Sequence, residues 1–369
     1  MWIINRRLIL LFLFLWSSHV RAQTLSQKLL SDIEDGQLDF FSRVEAALVI
    51  SGADSQRQLD RGLEWFDILL QDIKAKNIIS YEKIPSAEKL FLYFHTAWLK
   101  EYKEKATTLF DIIDKKEFNC VAATVLYNLT CDKLGLTTNA FETPTHVYTI
   151  FTNITERVMV ENTTSMGFNI MKNLRSYSKY LAQYYPEQQV LKIGLDRLYY
   201  YENSKGREIN NTELLGLICY NLALMTSEKK EYEKAYQYVE LAQLFNQDSR
   251  SNAKFEQHLY YQWGKQLYDQ EKYYQAFEVI ADGYYRYPDN LDFKNNCLVV
   301  FTKALEHLFV AKDWQRSENI IAEMDALNLR TNRELARQKK ILSDWINYFL
   351  SQQNKEQAQR AAELFRQTK

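Results

Sequence analysis

Apolar residues recur at helical spacing over most of the chain. Between residues 24 and 118 they return every three or four positions, as in the run Leu59, Leu63, Phe66, Leu70 and Ile73. This is the period of one face of an α-helix. The same spacing resumes at about residue 190, so the pattern predicts a helical lead-in and a helical C-terminal half.

The period changes in the middle of the chain. A helix is predicted from Asn119, a good N-cap, to Leu134, with Gly135 at its C-terminal end. Three β-rich runs follow at 137–142, 147–152 and 157–161, and 153–156 is predicted to be a turn. The pattern therefore predicts a compact α+β unit within an otherwise helical protein.

Short blocks recur every 41 residues in the C-terminal half. Tyr232-Glu233-Lys234-Ala235 returns at 273–276, 314–317 and 355–358, with a small residue in the fourth slot each time. A fixed period of this size predicts stacked helical hairpins. The unit with Tyr260, Trp263-Gly264, Tyr273, Ala276 and Pro288 resembles a tetratricopeptide repeat; an irregular helical bundle is the alternative.

The N-terminus has the features of a secretory signal peptide. Arg6 and Arg7 precede an apolar run at 8–16, and Val20-Arg21-Ala22 is a suitable exit. Nine apolar residues are too few for a membrane anchor, which needs about 20. We expect cleavage after Ala22 and a periplasmic or secreted protein that is not an integral membrane protein after cleavage.

Composition and charge narrow the classes of partner. The chain is 46% hydrophobic and 25% charged, and removing residues 1–22 takes away three Arg and no acid, which moves the net charge from −1 to −4. No cluster of basic residues indicates nucleic-acid binding. The four cysteines show neither metal-ligand spacing nor a disulfide framework, and no cofactor is expected.

The order of three residues suggests nucleophilic chemistry. Cys120 lies at a helix start, His146 before one strand and Glu161 at the end of the next. A helix N-terminus favours a thiolate, an imidazole accepts its proton, and an acid orients the imidazole. A turn centred at 153–154 would place His146 opposite Glu161. Either Glu161 or Asn162 is then within reach, and Glu161 is preferred because a carboxylate also stabilises imidazolium.

The blocks that carry these residues resemble a known family. Asn119-Cys120-Val121-Ala122-Ala123, Glu142-Thr143-Pro144-Thr145-His146 and Val160-Glu161-Asn162-Thr163-Thr164 look like the small bacterial branch of the transglutaminase-like superfamily. The resemblance covers roughly residues 35–170. It implies that Cys120 is the nucleophile, His146 the base and Glu161 the orienting acid of a metal-free acyl-transfer site. The third residue of the family is usually Asp.

The expected fold class is an α+β papain/transglutaminase-like domain with a helical lead-in, followed by an all-α tetratricopeptide-like solenoid. The expected domains are a signal peptide (1–22), the transglutaminase-like domain with N-terminal helices (23–185) and the repeats (190–369).

Two functional hypotheses follow. The first is an exported cysteine peptidase, amidase or acyl transferase acting on amide bonds, whose repeats bind a protein partner or substrate. The second is a non-catalytic periplasmic interaction scaffold. His95 is expected to be a packing histidine. The repeat tyrosines are either a binding face or packing residues: Tyr236, Tyr260, Tyr261, Tyr268, Tyr284 and Tyr285.

Overall fold

The computed structural model describes residues 24–154, 156–170 and 174–368. The predicted signal peptide, residues 1–22, lies outside them. The chain divides into two compact units. The first contains the residues up to 218 together with 244–246, and the second contains 219–243 and the residues from 247 onward. No helix within the described ranges is both long and apolar enough to cross a membrane.

The first unit begins with four helices. They are α1 (Leu25–Asp32), α2 (Arg43–Ile50), α3 (Gln56–Ala75) and α4 (Lys83–Ala97). The first two begin at reciprocal capping boxes, Thr24 with Gln27 and Ser42 with Glu45. In each box, two backbone N–H groups that have no partner within the helix are satisfied by side chains.

A buried helix and a four-stranded sheet form the centre of this unit. The helix is α5 (Cys120–Lys133), with Asn119 as N-cap and Gly135 at a φ of 68°. The antiparallel sheet has the order β5-β4-β3-β6. Its strands are β3 (Thr138–Glu142), β4 (Val147–Thr152), β5 (Arg157–Val160) and β6 (Arg207–Ile209). The predicted helix and its three following strands are thus confirmed to within one residue, whereas β6 falls in a stretch predicted to be helical.

Shorter elements complete the first unit. A parallel pair, β1 (Glu101–Tyr102) and β2 (Glu117–Phe118), flanks a π-helix at Asp111–Lys115 and lies directly before α5. After β5 come α6 (Leu174–Leu181), a 3₁₀-helix at Ala182–Tyr184, α7 (Glu187–Ile193) and α8 (Leu195–Asn203).

The predicted fold class, an α+β papain/transglutaminase-like domain followed by an all-α tetratricopeptide-like solenoid, is wrong. The described residues contain sixteen α-helices, and their six strands are only two to six residues long. The structure is therefore mostly helical with small sheets. The predicted helical lead-in and helical C-terminal half are present, but the sheets between them are too small to define an α+β domain.

Helical hairpins follow with a constant period. The helices are α9 (Asn211–Glu228), which contains the boundary between the units, α10 (Tyr232–Phe245), α11 (Arg250–Asp269), α12 (Tyr273–Arg286), α13 (Leu291–Val310), α14 (Trp314–Leu327), α15 (Asn332–Ser351) and α16 (Lys355–Gln367). From α10 onward, every second helix begins at one of the predicted blocks, 232, 273, 314 or 355. The predicted hairpin repeat is confirmed.

The same turn joins the two helices of each hairpin. Lys230, Glu271, Lys312 and Gln353 have φ between 57° and 62°. After each of them the next backbone N–H bonds the carbonyl five residues earlier, as in Lys272 to Leu267 at 2.9 Å. This left-handed residue and backbone bond end the helix in a Schellman arrangement.

Small and aromatic residues pack the hairpins. Ala235, Ala276, Ser317 and Ala358 are all buried, as their shared slot predicts. Of the tyrosines considered as a binding face, Tyr260 is buried, and most of the others pack against the apolar core. Tyr285 is instead 44% exposed. Packing is therefore the main use of these tyrosines.

Gly283 tests how tightly the hairpins pack. A Cβ on this glycine of α12 would lie 2.6 Å from Cε1 of Phe293, whose buried ring stacks on Tyr261 at 4.2 Å. Overpacking of this kind costs about 1–3 kcal/mol, which exceeds the gain of roughly 1 kcal/mol in helix propensity. We expect Gly283→Ala to lower the free energy of unfolding, measured in urea, by about 1 kcal/mol.

Phe293→Leu combined with Gly283→Ala is the control. The leucine removes the clashing ring edge, so the alanine should cost less in the Phe293→Leu background than in the native sequence. An alanine that costs the same in both backgrounds would contradict the packing account.

Candidate active site

Cys120 lies at the partly exposed end of a buried helix. The Asn119 Oδ1 atom accepts a hydrogen bond from the backbone N–H of Ala122 at 3.0 Å, which fixes the first turn of α5. Every residue from Val121 to Cys131 is buried, whereas Cys120 is partly exposed. The thiol is thus presented at a helix N-terminus, where the helix dipole favours negative charge.

The other three cysteines, Cys131, Cys219 and Cys297, are buried free thiols. Burial raises the pKa of the Cys131 and Cys219 thiols, and it raises the pKa of Cys297 to about 12. These thiols therefore stay protonated and unreactive at neutral pH.

His146 is held by a tight backbone turn just before β4. Its backbone N–H donates to Thr143 Oγ1 at 3.0 Å, and its carbonyl accepts from the Thr143 N–H at 2.8 Å. The His146 side chain is completely buried. The imidazole therefore has a fixed position at the start of the strand.

Glu161 reaches His146 across the sheet. Its Oε2 atom lies 2.6 Å from His146 Nε2, and both side chains have no exposed surface. The pairing of Thr149 with Val160 would place Glu161 beside Tyr148, so the predicted register is wrong by two residues. The contact still forms, because diagonal neighbours are within reach of a long side chain.

The loop after β5 fixes the carboxylate. Glu161 Oε1 accepts from both the backbone N–H and the hydroxyl of Thr163, and the Glu161 N–H donates to the Gly167 carbonyl at 3.0 Å. A Cβ on Gly167 would overlap the Glu161 carbonyl oxygen. Only glycine permits this close return of the chain.

The three predicted residues lie together: Glu161 bonds His146 directly, and Cys120 is near enough for its charge to act on His146. Burial lowers the pKa of His146, but the nearby charges of Glu161 and Cys120 and the hydrogen bond to Glu161 outweigh it and raise that pKa well above its usual range. Burial likewise raises the pKa of Glu161, but His146 and Thr163 lower it overall. The surroundings thus favour an imidazolium–carboxylate pair.

Asn162, the alternative orienting residue, points elsewhere. Its amide donates to Thr149 Oγ1 at 2.9 Å and to Thr124 Oγ1 at 3.2 Å, which ties β4 to α5. Neighbouring residues of an extended chain face opposite sides. Glu161 therefore faces His146, and Asn162 faces the core between helix and sheet.

Residues around this site were not predicted from the sequence. The Tyr184 ring stacks on His146 at 5.8 Å between centroids, and its hydroxyl lies 3.4 Å from the Tyr102 hydroxyl. Both tyrosines are distant in sequence from the motif blocks, so no local pattern marks them. His95 packs edge-on against Phe91, as predicted for a packing histidine, and burial lowers its pKa to about 4.

Comparisons with other proteins identify no family. No family model and no curated protein matches the chain. Among solved structures it is similar to menin, in the crystal structure that reveals the binding site for the Mixed Lineage Leukemia protein. The two are 10% identical, and the match covers 88% of this chain and 78% of that chain with a TM-score of 0.33. A match at this TM-score defines neither the fold nor the function of this chain.

The pH dependence of stability tests the buried pair. Because the pKa of His146 is raised from 6.5, its contribution is complete below about pH 6.5 and is lost as the pH rises through the folded-state value. The Glu161 contribution is present above about pH 4.5 and is lost as the pH falls through the lowered value. We expect Glu161→Gln to cost about 3 kcal/mol of unfolding free energy between these limits and less outside them.

Glu156→Gln, at an exposed position in the β4–β5 turn, is the control for this measurement. It should change the unfolding free energy by less than about 0.5 kcal/mol at every pH. A Glu161→Gln cost that is independent of pH would contradict an ionised pair.

Proposed function

We propose that this chain is a cysteine acyl-transfer enzyme, a peptidase, amidase or transamidase, that acts on amide bonds through Cys120, His146 and Glu161. The observation that carries the proposal is the buried His146–Glu161 pair, with 2.6 Å between Nε2 and Oε2, beside a partly exposed thiol whose charge acts on His146. A nucleophile, a base and a group that orients the base are the parts that covalent acyl transfer requires.

The proposed reaction has two steps, formation of a thioester on Cys120 and its breakdown, and the same residues act in both. The Cys120 sulfur attacks the carbonyl carbon, and the Cys120 proton resides on His146. When the tetrahedral intermediate collapses, the C–N bond breaks and His146 gives this proton to the leaving amine, leaving a thioester on Cys120. Water or a second amine then attacks the thioester and His146 takes its proton; the S–C bond breaks, and Cys120 leaves as a thiolate with that proton on His146, as at the start of the cycle.

Glu161 supports the charge that His146 carries during this cycle. An imidazolium with no exposed surface is costly unless a counter-charge is close. Glu161 provides that charge and fixes the ring by its bond to Nε2. It corresponds to the third member of a catalytic triad, which orients the ring without taking its proton.

The motif resemblances to the transglutaminase-like superfamily and to tetratricopeptide repeats, which are separate from the fold class, and the export of the mature chain belong to the same proposal. They rest on the motif blocks around Cys120, His146 and Glu161, on the 41-residue repeat and on the N-terminal pattern. Export would place the enzyme among periplasmic or extracellular peptides and proteins.

Alkylation of the thiols tests the centre directly. The proposed centre requires an accessible, activated thiol, which should react with iodoacetamide at pH 6 roughly 100-fold faster than a thiol that is buried and protonated. We expect Cys120 to be labelled at this advantage over Cys131, Cys219 and Cys297, as mapped by mass spectrometry. These buried thiols serve as controls within the same chain.

His146→Gln should remove most of the advantage of Cys120, because the imidazolium partner is lost. Its circular dichroism and melting temperature must show that it is folded, and Glu161→Gln provides a second variant of the same site. Slow labelling of Cys120 in the native protein, or rapid labelling that survives both substitutions, would refute the proposed centre.

A second proposal is that the hairpins bind a protein or peptide partner. Such binding would present a substrate to Cys120, or it would be the main function of the protein if Cys120 is inactive. It is favoured by apolar side chains that face solvent at the ends of the longer helices. Val310 of α13 is 77% exposed and Leu350 of α15 is 56% exposed. Stacked hairpins provide extended surfaces for such contacts.

Charged substitutions test this binding proposal. We expect the doubly substituted chain Val310→Asp/Leu350→Asp to lose, at least tenfold, a partner that the native mature protein captures from a periplasmic extract. Gln315→Asp/Gln352→Asp adds the same charge at exposed polar positions and should retain the partner. No capture by the native chain, or equal capture by all three proteins, would contradict the proposal.

A further inference from the structure

Tyr102 is held next to the nucleophile by the short parallel strand pair. In this pair Tyr102 lies beside Phe118, two residues before Cys120, and the two rings are 5.8 Å apart in an edge-to-face contact. The Lys103 N–H donates to the Phe118 carbonyl at 2.9 Å. Asn119 Nδ2 donates to the Glu104 carbonyl at 3.0 Å.

The same asparagine therefore caps α5 with its oxygen and anchors the strand of Tyr102 with its nitrogen. Before Tyr102, the Glu101 N–H donates to the Lys116 carbonyl at 3.2 Å, so hydrogen bonds on both sides of Tyr102 fix its position relative to the helix start. Such support is expected where a side chain must be placed accurately.

Tyr184 approaches from the side of His146. Its ring stacks on the imidazole with an interplanar angle of 29°, and its hydroxyl oxygen lies 3.4 Å from that of Tyr102. The two phenols thus connect the segment before the nucleophile to the ring of the base.

The protonation state and exposure of Tyr102 suit a hydrogen-bond donor. Burial and the neighbouring Cys120 charge raise the pKa of Tyr102, so the phenol keeps its proton at neutral pH. The side chain is nevertheless 41% exposed, so a substrate group can reach it from solvent.

We propose that the Tyr102 hydroxyl is a further catalytic group of this site, which donates a hydrogen bond to the acyl oxygen as Cys120 attacks. The inference rests on the proposed acyl transfer. As the S–C bond forms, the carbonyl π electrons move to oxygen, and the Tyr102 O–H stabilises the resulting oxyanion without losing its proton. Collapse to the thioester returns the electrons and expels the leaving group.

Reaction with two different electrophiles can show whether Tyr102 stabilises an oxyanion or only affects how easily a reagent reaches the Cys120 thiol. p-Nitrophenyl acetate acylates a thiol through a tetrahedral oxyanion and releases p-nitrophenolate, whereas iodoacetamide reacts at a saturated carbon and forms no oxyanion. Removing one oxyanion donor typically slows acylation by about 100-fold. We expect Tyr102→Phe to slow acetylation of Cys120 by this factor and to change its alkylation by less than twofold.

The variant keeps the ring that contacts Phe118, and its melting temperature should confirm that the fold is intact. Tyr81→Phe, at a tyrosine that is 98% exposed, removes a hydroxyl away from the site and should change neither rate. Acetylation is mapped to Cys120 by mass spectrometry, with Cys120→Ala as the blank.

The outcomes distinguish the two proposals. If Cys120 of the native protein reacts rapidly but Tyr102→Phe leaves acetylation unchanged, or slows both reactions equally, the role of Tyr102 is refuted and the nucleophile stands. If neither reagent reaches Cys120 faster than the buried thiols of the native chain, the acyl-transfer function itself fails, and the role of Tyr102 with it.

Discussion

The ion pair between His146 and Glu161 constrains the first unit, because neither side chain has any contact with water. Removing two charges from water is costly, and the cost is recovered only if the geometry is good and the remaining polar atoms are bonded. The sequence satisfies this condition locally. Thr163 donates to the second carboxylate oxygen of Glu161, and Thr143 accepts a hydrogen bond from the backbone N–H of His146. Gly167 has no side chain, so the chain can pass close to the backbone of Glu161. These residues hold the His146–Glu161 pair in place next to the partly exposed thiol of Cys120.

Local signals made the centre of the site predictable. The helix from Cys120 is defined by an asparagine cap and a terminating glycine, and the strands that carry His146 and Glu161 have clear β-rich composition. The pairing was expected from a turn of the wrong length. The His146–Glu161 contact nevertheless forms, because a glutamate is long enough to reach a diagonal neighbour in a sheet, which a shorter side chain would do less easily. The contact of Glu161 with His146 was thus predicted from residue type and approximate position.

Non-local pairing could not be predicted in the same way. Glu101–Tyr102 and Arg207–Ile209 are strands of two and three residues, too short to show alternation, and their partners lie far away in the sequence. Tyr102 joins the site through such a strand pair, and Tyr184 joins it through a ring contact with His146, which is distant in the sequence. The fold class was wrong for a related reason. A few short strands dominate the sequence pattern around the motif, while most of the buried surface belongs to helices.

The hairpins depend on length as much as on composition. Their turns use Lys230, Glu271, Lys312 and Gln353 in a left-handed conformation, so no glycine marks them, yet they recur at the same interval as the helix starts. Each added residue rotates the rest of a helix by about 100°. A one-residue insertion inside a hairpin would therefore turn the next small residue, such as Ala276 or Ser317, out of its packing position. Substitutions of exposed side chains leave this interval unchanged. An insertion or deletion inside a helix instead disturbs the 41-residue spacing that keeps the small residues buried.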